Sequence, residues 1–146
     1  MPIRPENRDR YPDNWKSEIR PRILERAKHK CEQCRAPDRT VIARGEGNDA
    51  DTYMLEHGEV FHADTGDYIG LCRGSEFDGR PVVVILTVSH LDHAPENCDD
   101  SNLRALCQRC HNRHDAPHRA ITRQRTARAR LAIGDLFDVT QKGTPA

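Results

Sequence analysis

The sequence has few aromatic residues, no long hydrophobic run and no net charge. One tryptophan, three tyrosines and three phenylalanines make up 5% of the 146 residues, which argues against base stacking as the main way of binding nucleic acid. The longest largely apolar run, residues 82–88, is far shorter than the ~20 residues of a membrane-spanning helix. The N-terminal residues contain no hydrophobic segment of a secretory signal. We therefore expect a cytoplasmic protein with no membrane partner.

The charges are unevenly distributed although they cancel overall. Residues 1–30 carry nine basic and five acidic side chains, and residues 101–130 carry eight basic and one acidic side chain. Residues 31–100 are acidic, with five basic and 15 acidic side chains. This asymmetry suits a chain that contacts phosphates with its basic parts and holds cations in its centre. The length of 146 residues predicts a single domain.

Local patterns predict an α+β protein. Residues 1–13 are polar and contain three prolines, so we expect an irregular arm there. Apolar residues at helical spacing then predict an N-terminal helix. Pro21 indicates that this helix begins near residue 20, because proline is tolerated in a first turn. The β-branched run at residues 82–88 predicts one buried strand.

The middle and the end of the chain have different compositions. Residues 35–80 are acidic and rich in glycine and look like a variable insertion, with a hairpin around residues 64–67. Residues 119–137 predict a basic helix, because their first part holds five arginines and no acid. Pro117 marks a risk of a break before this helix.

Four of the six cysteines form two CxxC pairs, and these are Cys31, Cys34, Cys107 and Cys110. Each pair lets two thiolates converge on one ion, and two pairs complete the tetrahedral sulfur site that zinc prefers in structural centres. The alternatives are free core cysteines or a redox pair, but a redox site needs only one CxxC. We predict a structural zinc site. Cys72 and Cys98 belong to neither pair and are expected to be ordinary thiols.

Three segments follow one another in the C-terminal half: Ser89-His90-Leu91-Asp92-His93, Asn102-Leu103, and Leu106-Cys107 through Cys110-His111. Their order resembles the HNH endonuclease family. Its usual signature is a strand ending in Asp-His or His-His, a loop, and then Asn-Leu-x-x-Leu-Cys-x-x-Cys-His. The match covers about 25 residues, and the chain is similar to small HNH proteins encoded in bacterial and phage genomes. A phage-borne gene would place the protein in the cytoplasm of a host cell.

The resemblance implies a ββα-metal (His-Me) finger over residues 81–118, stapled by zinc. His90 would correspond to the general base that deprotonates the attacking water. Asn102 would hold the loop that orients this imidazole. His111 would bind a catalytic divalent ion such as Mg²⁺. The chemistry agrees, because phosphodiester hydrolysis needs a base that titrates near neutrality and a cation that stabilises the leaving oxygen.

The chain departs from the family at Ser89, where relatives carry an Asp or His that binds the metal. Serine is a poor ligand for a single divalent ion. We predict Asp92 as the replacement, with His93 and Asp115 as alternatives. If none of them substitutes, the protein is a non-cutting relative that keeps the fold.

Arginines surround and follow the motif, and those predicted to bind nucleic acid are Arg104, Arg109, Arg113 and Arg123. Arginines on successive helical turns can follow a phosphate backbone and give salt-sensitive affinity without sequence preference. The alternative is an ordinary solvated helix face.

The sequence thus predicts a metal-dependent DNA endonuclease, with double-stranded DNA as the default substrate and RNA as the alternative. A zinc-stapled nucleic-acid-binding module without cleavage is the first alternative. An interaction protein of a phage assembly or defence system, docking through residues 35–80, is the second. Small HNH proteins often pair to cut both strands, so a homodimer is one expected arrangement.

Overall fold

The computed structural model describes residues 3–142 of the chain. They form two compact units that divide between His111 and Asn112, one described over residues 3–111 and the other over residues 112–142. The first unit contains both sheets and the cysteine pairs. The second unit consists of helix in its described part.

The elements alternate between short helical turns and strands before one long helix. Two helical segments are α-helical, α1 (Arg20–Arg26) and α2 (Gln108–Lys142). Short 3₁₀ helices cover Pro5–Arg10, Gly47–Asp49 and Asp100–Asn102, and a π-helical turn, Trp15–Ile19, precedes α1. The strands are β1 (Val41–Gly45), β2 (Thr52–Met54), β3 (Glu59–His62), β4 (Tyr68–Leu71), β5 (Gly79–Val83), β6 (Thr87–His90) and β7 (Leu103–Leu106).

The N-terminal part largely follows the sequence prediction. The α-helix begins at Arg20 with Pro21 in its first turn, because a proline there removes no helical hydrogen bond. Residues of the predicted irregular arm include the 3₁₀ helix Pro5–Arg10. Ile19 and Ile23 are buried and anchor α1 in the core of the first unit.

Residues 35–80 contain most of a five-stranded antiparallel sheet with the strand order β4-β3-β2-β1-β5. The predicted hairpin is present, because β3 pairs with β4 around Gly66, which has a φ of 77°. This positive φ is a conformation that favours glycine. The sequence predicted only that hairpin. The sheet continues from β3 through β2 and β1 to β5, each strand pairing with the next.

The prediction of one continuous strand over residues 82–88 was wrong. The chain leaves the five-stranded sheet after Val83 and joins a separate two-stranded sheet at Thr87. Val84 and Leu86 are fully buried in the connection, whereas Ile85 is exposed. An apolar run predicts burial, but it does not tell whether one sheet or two sheets provide the hydrogen bonds.

Strand β7, Leu103–Leu106, directly follows the 3₁₀ helix that ends at Asn102. β7 pairs antiparallel with β6, so that His90 lies opposite Leu103 and Thr87 lies opposite Leu106. β7 then leads directly into α2. The hairpin of β6 and β7 contacts α1, which closes the core of the first unit around Leu103 and Ala105.

Helix α2 begins at Gln108 and includes Pro117 without a break, so that the predicted basic helix over residues 119–137 is its continuation. Within the second unit, Ile121, Leu131 and Ile133 are exposed. None of the helices in the described part of the chain has the length and apolar character needed to cross a lipid bilayer.

Candidate metal centre and histidine site

The four cysteines of the two CxxC pairs come together in the first unit. Their sulfur atoms all lie within 4.8 Å of one another, and the four side chains are buried. We call this group, Cys31, Cys34, Cys107 and Cys110, the cysteine cluster. Four sulfurs bound tetrahedrally to zinc at ~2.3 Å lie about 3.8 Å apart. The Sγ atoms of Cys34 and Cys107 are 3.6 Å apart, so the donor set fits a metal ion such as zinc.

Two tight turns deliver the sulfurs. The first pair follows α1, where the amide of Cys34 donates to Sγ of Cys31 at 3.5 Å. The second pair begins after β7 and ends in the first turn of α2. Hydrogen bonds from Cys110, Cys31 and Cys34 lower the pKa of the Cys107 thiol. The same hydrogen bonds, chiefly those to Cys107, raise the pKa of the Cys34 and Cys110 thiols, so that the four sulfurs share protons. Cysteine binds metal as the thiolate.

Glu32 fastens the first turn to β7. Its carboxylate accepts the amide of Ala105 at 2.7 Å, and its own amide donates to the carbonyl of Ala105 at 2.9 Å. Arg26 pairs with the same carboxylate at 3.0 Å and donates to the Leu103 carbonyl at 2.6 Å. These contacts fix the position of the first CxxC pair relative to β7, which leads to the second pair, without involving the sulfurs.

The five-stranded sheet also reaches the cysteine cluster, which the sequence did not predict. Tyr53 of β2 donates its hydroxyl to the carbonyl of Cys34 at 2.6 Å. Arg44 of β1 donates to Sγ of Cys107 at 3.3 Å. Tyr53 is 1% exposed. Residues 35–80 thus contribute side chains to one side of the cysteine cluster. The only sequence signal for this was the alternation along β1, which places Arg44 on the same face as the apolar Ile42.

Arg109 lies between the cysteines of the second pair and points to the inserted residues. It pairs with Asp64 at 2.7 Å and with Asp51 at 2.9 Å, and it also donates to the Ala63 carbonyl at 3.0 Å. These contacts occupy the guanidinium within the protein. Its predicted contact with phosphate stays a prediction, and the geometry gives this arginine a structural role.

His90 lies at the end of β6 in an aromatic surrounding. Its ring stacks on Trp15 with centroids 4.9 Å apart and meets the edge of Tyr11 at 5.6 Å. Its Nε2 is 3.6 Å from Sγ of Cys98. Only 7% of the residue is exposed, and this burial lowers the pKa of His90 below its usual 6.5. The imidazole is therefore neutral at neutral pH.

Asp92 and Asn102 lock the loop after β6. The Asp92 carboxylate accepts the amide of Ala94, the side-chain amide of Asn97 and the side-chain amide of Asn102, each at 2.9 Å. Hydrogen bonds from Asn97, then Ala94 and Asn102, lower the pKa of Asp92 to about 2. Asn102 also accepts the Asp92 amide at 3.2 Å and donates to the Asn97 carbonyl at 2.9 Å. These hydrogen bonds of Asn102 hold the loop between Asp92 and Asn97.

His111 lies in the first turn of α2, where its Nδ1 is 2.7 Å from the hydroxyl of Thr87. Thr87 and His90 are three residues apart on β6 and therefore lie on opposite faces of the strand. Among the described residues, no close group of three or more metal-binding side chains contains His90, Asp92 or His111. Asp92 and His111, the first choice of ligands for a second, catalytic ion, therefore belong to no such group.

Three of the four arginines predicted to bind nucleic acid are exposed. Ser89, in contrast, is 4% exposed and lies opposite Arg104 in the β6–β7 pairing. Arg104 is exposed on β7, and Arg113 and Arg123 are exposed on α2 in the second unit. Their roles in binding nucleic acid stay predictions.

Comparison with known proteins does not identify the chain. No protein-family description matches it, and neither a curated protein nor a solved structure matches it.

Proposed function

We propose that the chain is an HNH-type endonuclease that hydrolyses phosphodiester bonds in DNA and is stabilised by zinc in the cysteine cluster. The observation that carries the proposal is the order of elements around the histidines. The hairpin of β6 and β7 leads directly into α2, with His90 at the end of the first strand and His111 in the first turn of the helix. This order agrees with the strand-strand-helix arrangement that the resemblance implies.

The surroundings of His90 suit a general base. Its depressed pKa keeps the ring neutral and able to accept a proton at physiological pH. Trp15 and Tyr11 fix the ring plane, and Asn102 holds the loop that follows. In the proposed reaction Nε2 accepts a proton from water as the water oxygen bonds to phosphorus, and the phosphorus–oxygen bond to the leaving group breaks.

Access to Nε2 sets a condition for this reaction. The residue is 7% exposed, and Cys98 is the neighbour of Nε2 at 3.6 Å. Arg10 pairs with Glu96, which joins the N-terminal segment to the loop that carries Cys98. The proposal therefore requires either this loop or the segment with Tyr11 to move before a phosphate can approach.

Nicking of supercoiled plasmid DNA in the presence of Mg²⁺ or Mn²⁺ tests the proposal. We expect cleavage by the wild type and losses of about 10²–10⁴-fold in His90→Ala, because general-base catalysis contributes by that factor. His111→Ala should also lose activity. His57→Ala is the matched control, since His57 is exposed outside the motif. Equal cleavage by the wild type and His90→Ala would refute the mechanism.

A non-cutting nucleic-acid-binding module is the second candidate. The burial of His90, the serine at position 89 and the placement of Thr87 and His90 on opposite faces of β6 favour it. Fluorescence anisotropy with a labelled DNA duplex over a range of salt concentrations separates the two. Salt-sensitive binding without any nicking in Mg²⁺ or Mn²⁺ would establish the module.

A further inference from the structure

Arg44 is a cationic residue on the buried side of a strand. It shares a face of β1 with Ile42, which is 2% exposed, and lies opposite Tyr53 of β2, which is 1% exposed. A guanidinium that faces a core needs an anionic partner, because an unpaired buried charge is costly. No carboxylate within the described residues forms an ion pair with Arg44.

The contacts of Arg44 all lead toward the cysteine cluster. Its Nη2 donates to Sγ of Cys107 at 3.3 Å, and its central carbon lies 5.6 Å from the centre of the Tyr53 ring. Its Nη1 is buried and has no hydrogen-bond partner among the described residues. Tyr53 in turn donates to the carbonyl of Cys34. The guanidinium thus lies between the Tyr53 ring and the sulfur of Cys107.

The chemistry of the cluster supplies the missing anion. Four thiolates around one divalent ion carry a net charge of about −2, and this charge lies in a buried place where water does not screen it. Arginine is permanently cationic and presents several N–H donors in one plane. It can therefore offset part of the charge while it donates to sulfur.

We propose that Arg44 is the counter-charge of the metal-bound cysteine cluster and sets the affinity of the cluster for zinc. The inference rests on the metal-binding part of the proposed function and is independent of nuclease activity. Through Arg44, the five-stranded sheet would contribute a positive charge and an N–H donor to the cysteine cluster, in addition to packing against it.

Zinc competition with a chromophoric chelator tests this role on the full chain. We expect Arg44→Met to lower the zinc affinity by about 10- to 100-fold, the usual effect of removing an outer partner of a metal ligand. We expect Arg44→Lys to fall between Arg44→Met and the wild type, because lysine keeps the charge but loses the planar donor. Arg80→Met is the matched control, since Arg80 lies opposite Arg44 on β5 but is exposed and pairs with Glu46.

The cobalt-substituted protein gives a second measurement that a purely structural role of Arg44 would not change. An N–H donor to sulfur lowers the energy of the sulfur lone pair. Its loss in Arg44→Met should therefore shift the sulfur-to-cobalt charge-transfer band to lower energy, whereas Arg80→Met should leave the band in place.

The outcomes separate the proposals. Zinc affinity and a cobalt band in Arg44→Met that equal those of the wild type would overturn the role of Arg44. If Arg44→Met does not fold, Arg44→Lys decides in the same way, by its affinity and its band. A wild type that binds neither zinc nor cobalt would overturn both this inference and the zinc site. A wild type that binds zinc but does not cut DNA would overturn only the proposed nuclease activity and would leave the role of Arg44 unaffected.

Discussion

The hydroxyl of Thr87 and Nδ1 of His111 lie 2.7 Å apart, and this hydrogen bond joins the first strand of the β6–β7 hairpin to the first turn of α2. A partner on one ring nitrogen fixes the orientation of an imidazole and the chemistry of its other nitrogen. Thr87 is therefore a positioning residue for His111 in the proposed nuclease.

Replacing Thr87 by valine tests this relationship. Valine has nearly the same shape but no hydroxyl, so the ring of His111 loses its fixed orientation. We expect the nicking rate of Thr87→Val to fall by about tenfold or more, as for other partners of metal-binding histidines. The free energy of unfolding should change by only about 1 kcal/mol. Thr87→Ser keeps the hydroxyl and should retain activity. Full activity in Thr87→Val would contradict the positioning role.

The buried imidazole of His90 predicts a pH dependence of stability. Its pKa is lowered in the folded protein, so between that value and 6.5 the unfolded chain binds more protons than the folded chain. The stability contribution is therefore complete above the unfolded pKa and declines as the pH falls below it. Urea titrations at several pH values should show a larger acid loss in the wild type than in His90→Gln. Parallel curves for the two proteins would contradict the burial of a neutral ring.

The carboxylate of Asp92 should titrate far below an ordinary aspartate. With a pKa of about 2 in the folded protein, the hydrogen bonds of Asp92 contribute their full stability above the ordinary aspartate value of 3.8, and this contribution is lost as the pH falls toward 2. An NMR titration of the carboxyl carbon measures this directly. Asp92→Asn should increase the hydrogen exchange of the Ala94 amide, whereas Asp99→Asn, a neighbouring exposed change, should not. A midpoint at an ordinary aspartate value would show that the loop lacks these contacts.

Arg109 and Arg104 should behave differently although the sequence predicted the same role for both. Arg109→Ala removes the contacts to Asp51 and Asp64, and we expect a loss of about 1–2 kcal/mol in the free energy of unfolding, since these partners are partly exposed. Arg104→Ala should leave stability unchanged and reduce the salt slope of DNA binding by about 0.9 for one lost phosphate contact. The reverse pattern would make Arg109 the residue that binds DNA.

The thiol of Cys98 gives a chemical test of access to His90. Because Sγ lies 3.6 Å from Nε2, alkylation with N-ethylmaleimide should block the imidazole and abolish nicking. Cys98→Ser should be active and resistant to the reagent. Cys72→Ser should remain sensitive, since Cys72 lies outside the site. Inhibition that persists in Cys98→Ser would point to another thiol.

The cysteine cluster was predictable because the spacing of the two cysteines within each CxxC pair is itself the signal of a metal-binding turn. Each CxxC pair is a complete local signal, and the structure confirms that the two pairs meet, although they are far apart in the sequence. The start of α1 near Pro21 was predictable for a similar reason, since one residue type restricts the backbone.

Features that depend on distant partners were not predictable. The sequence around Arg44 does not indicate that its partner is Cys107. Arg109 likewise cannot be distinguished in the sequence from other basic residues near the motif, because its partners Asp51 and Asp64 are distant along the chain. The run at residues 82–88 changes sheets because its first part pairs with β1 and its last part pairs with β7. A hydrophobic pattern does not specify these partners. The aromatic cover of His90 likewise comes from Tyr11 and Trp15, about 75 residues earlier.

The pairing of β1 with β5 shortens the chain that folding has to close around the cysteines. The sequence separates Cys34 from Cys107 by 72 residues, but β1 and β5 meet as neighbouring strands. Once they pair, only the six residues before β1 and the 23 residues after β5 span the gap. A logarithmic loop entropy then makes closure easier by about 0.8 kcal/mol. The sheet therefore brings the two CxxC pairs of the cysteine cluster together as though they were closer in the sequence.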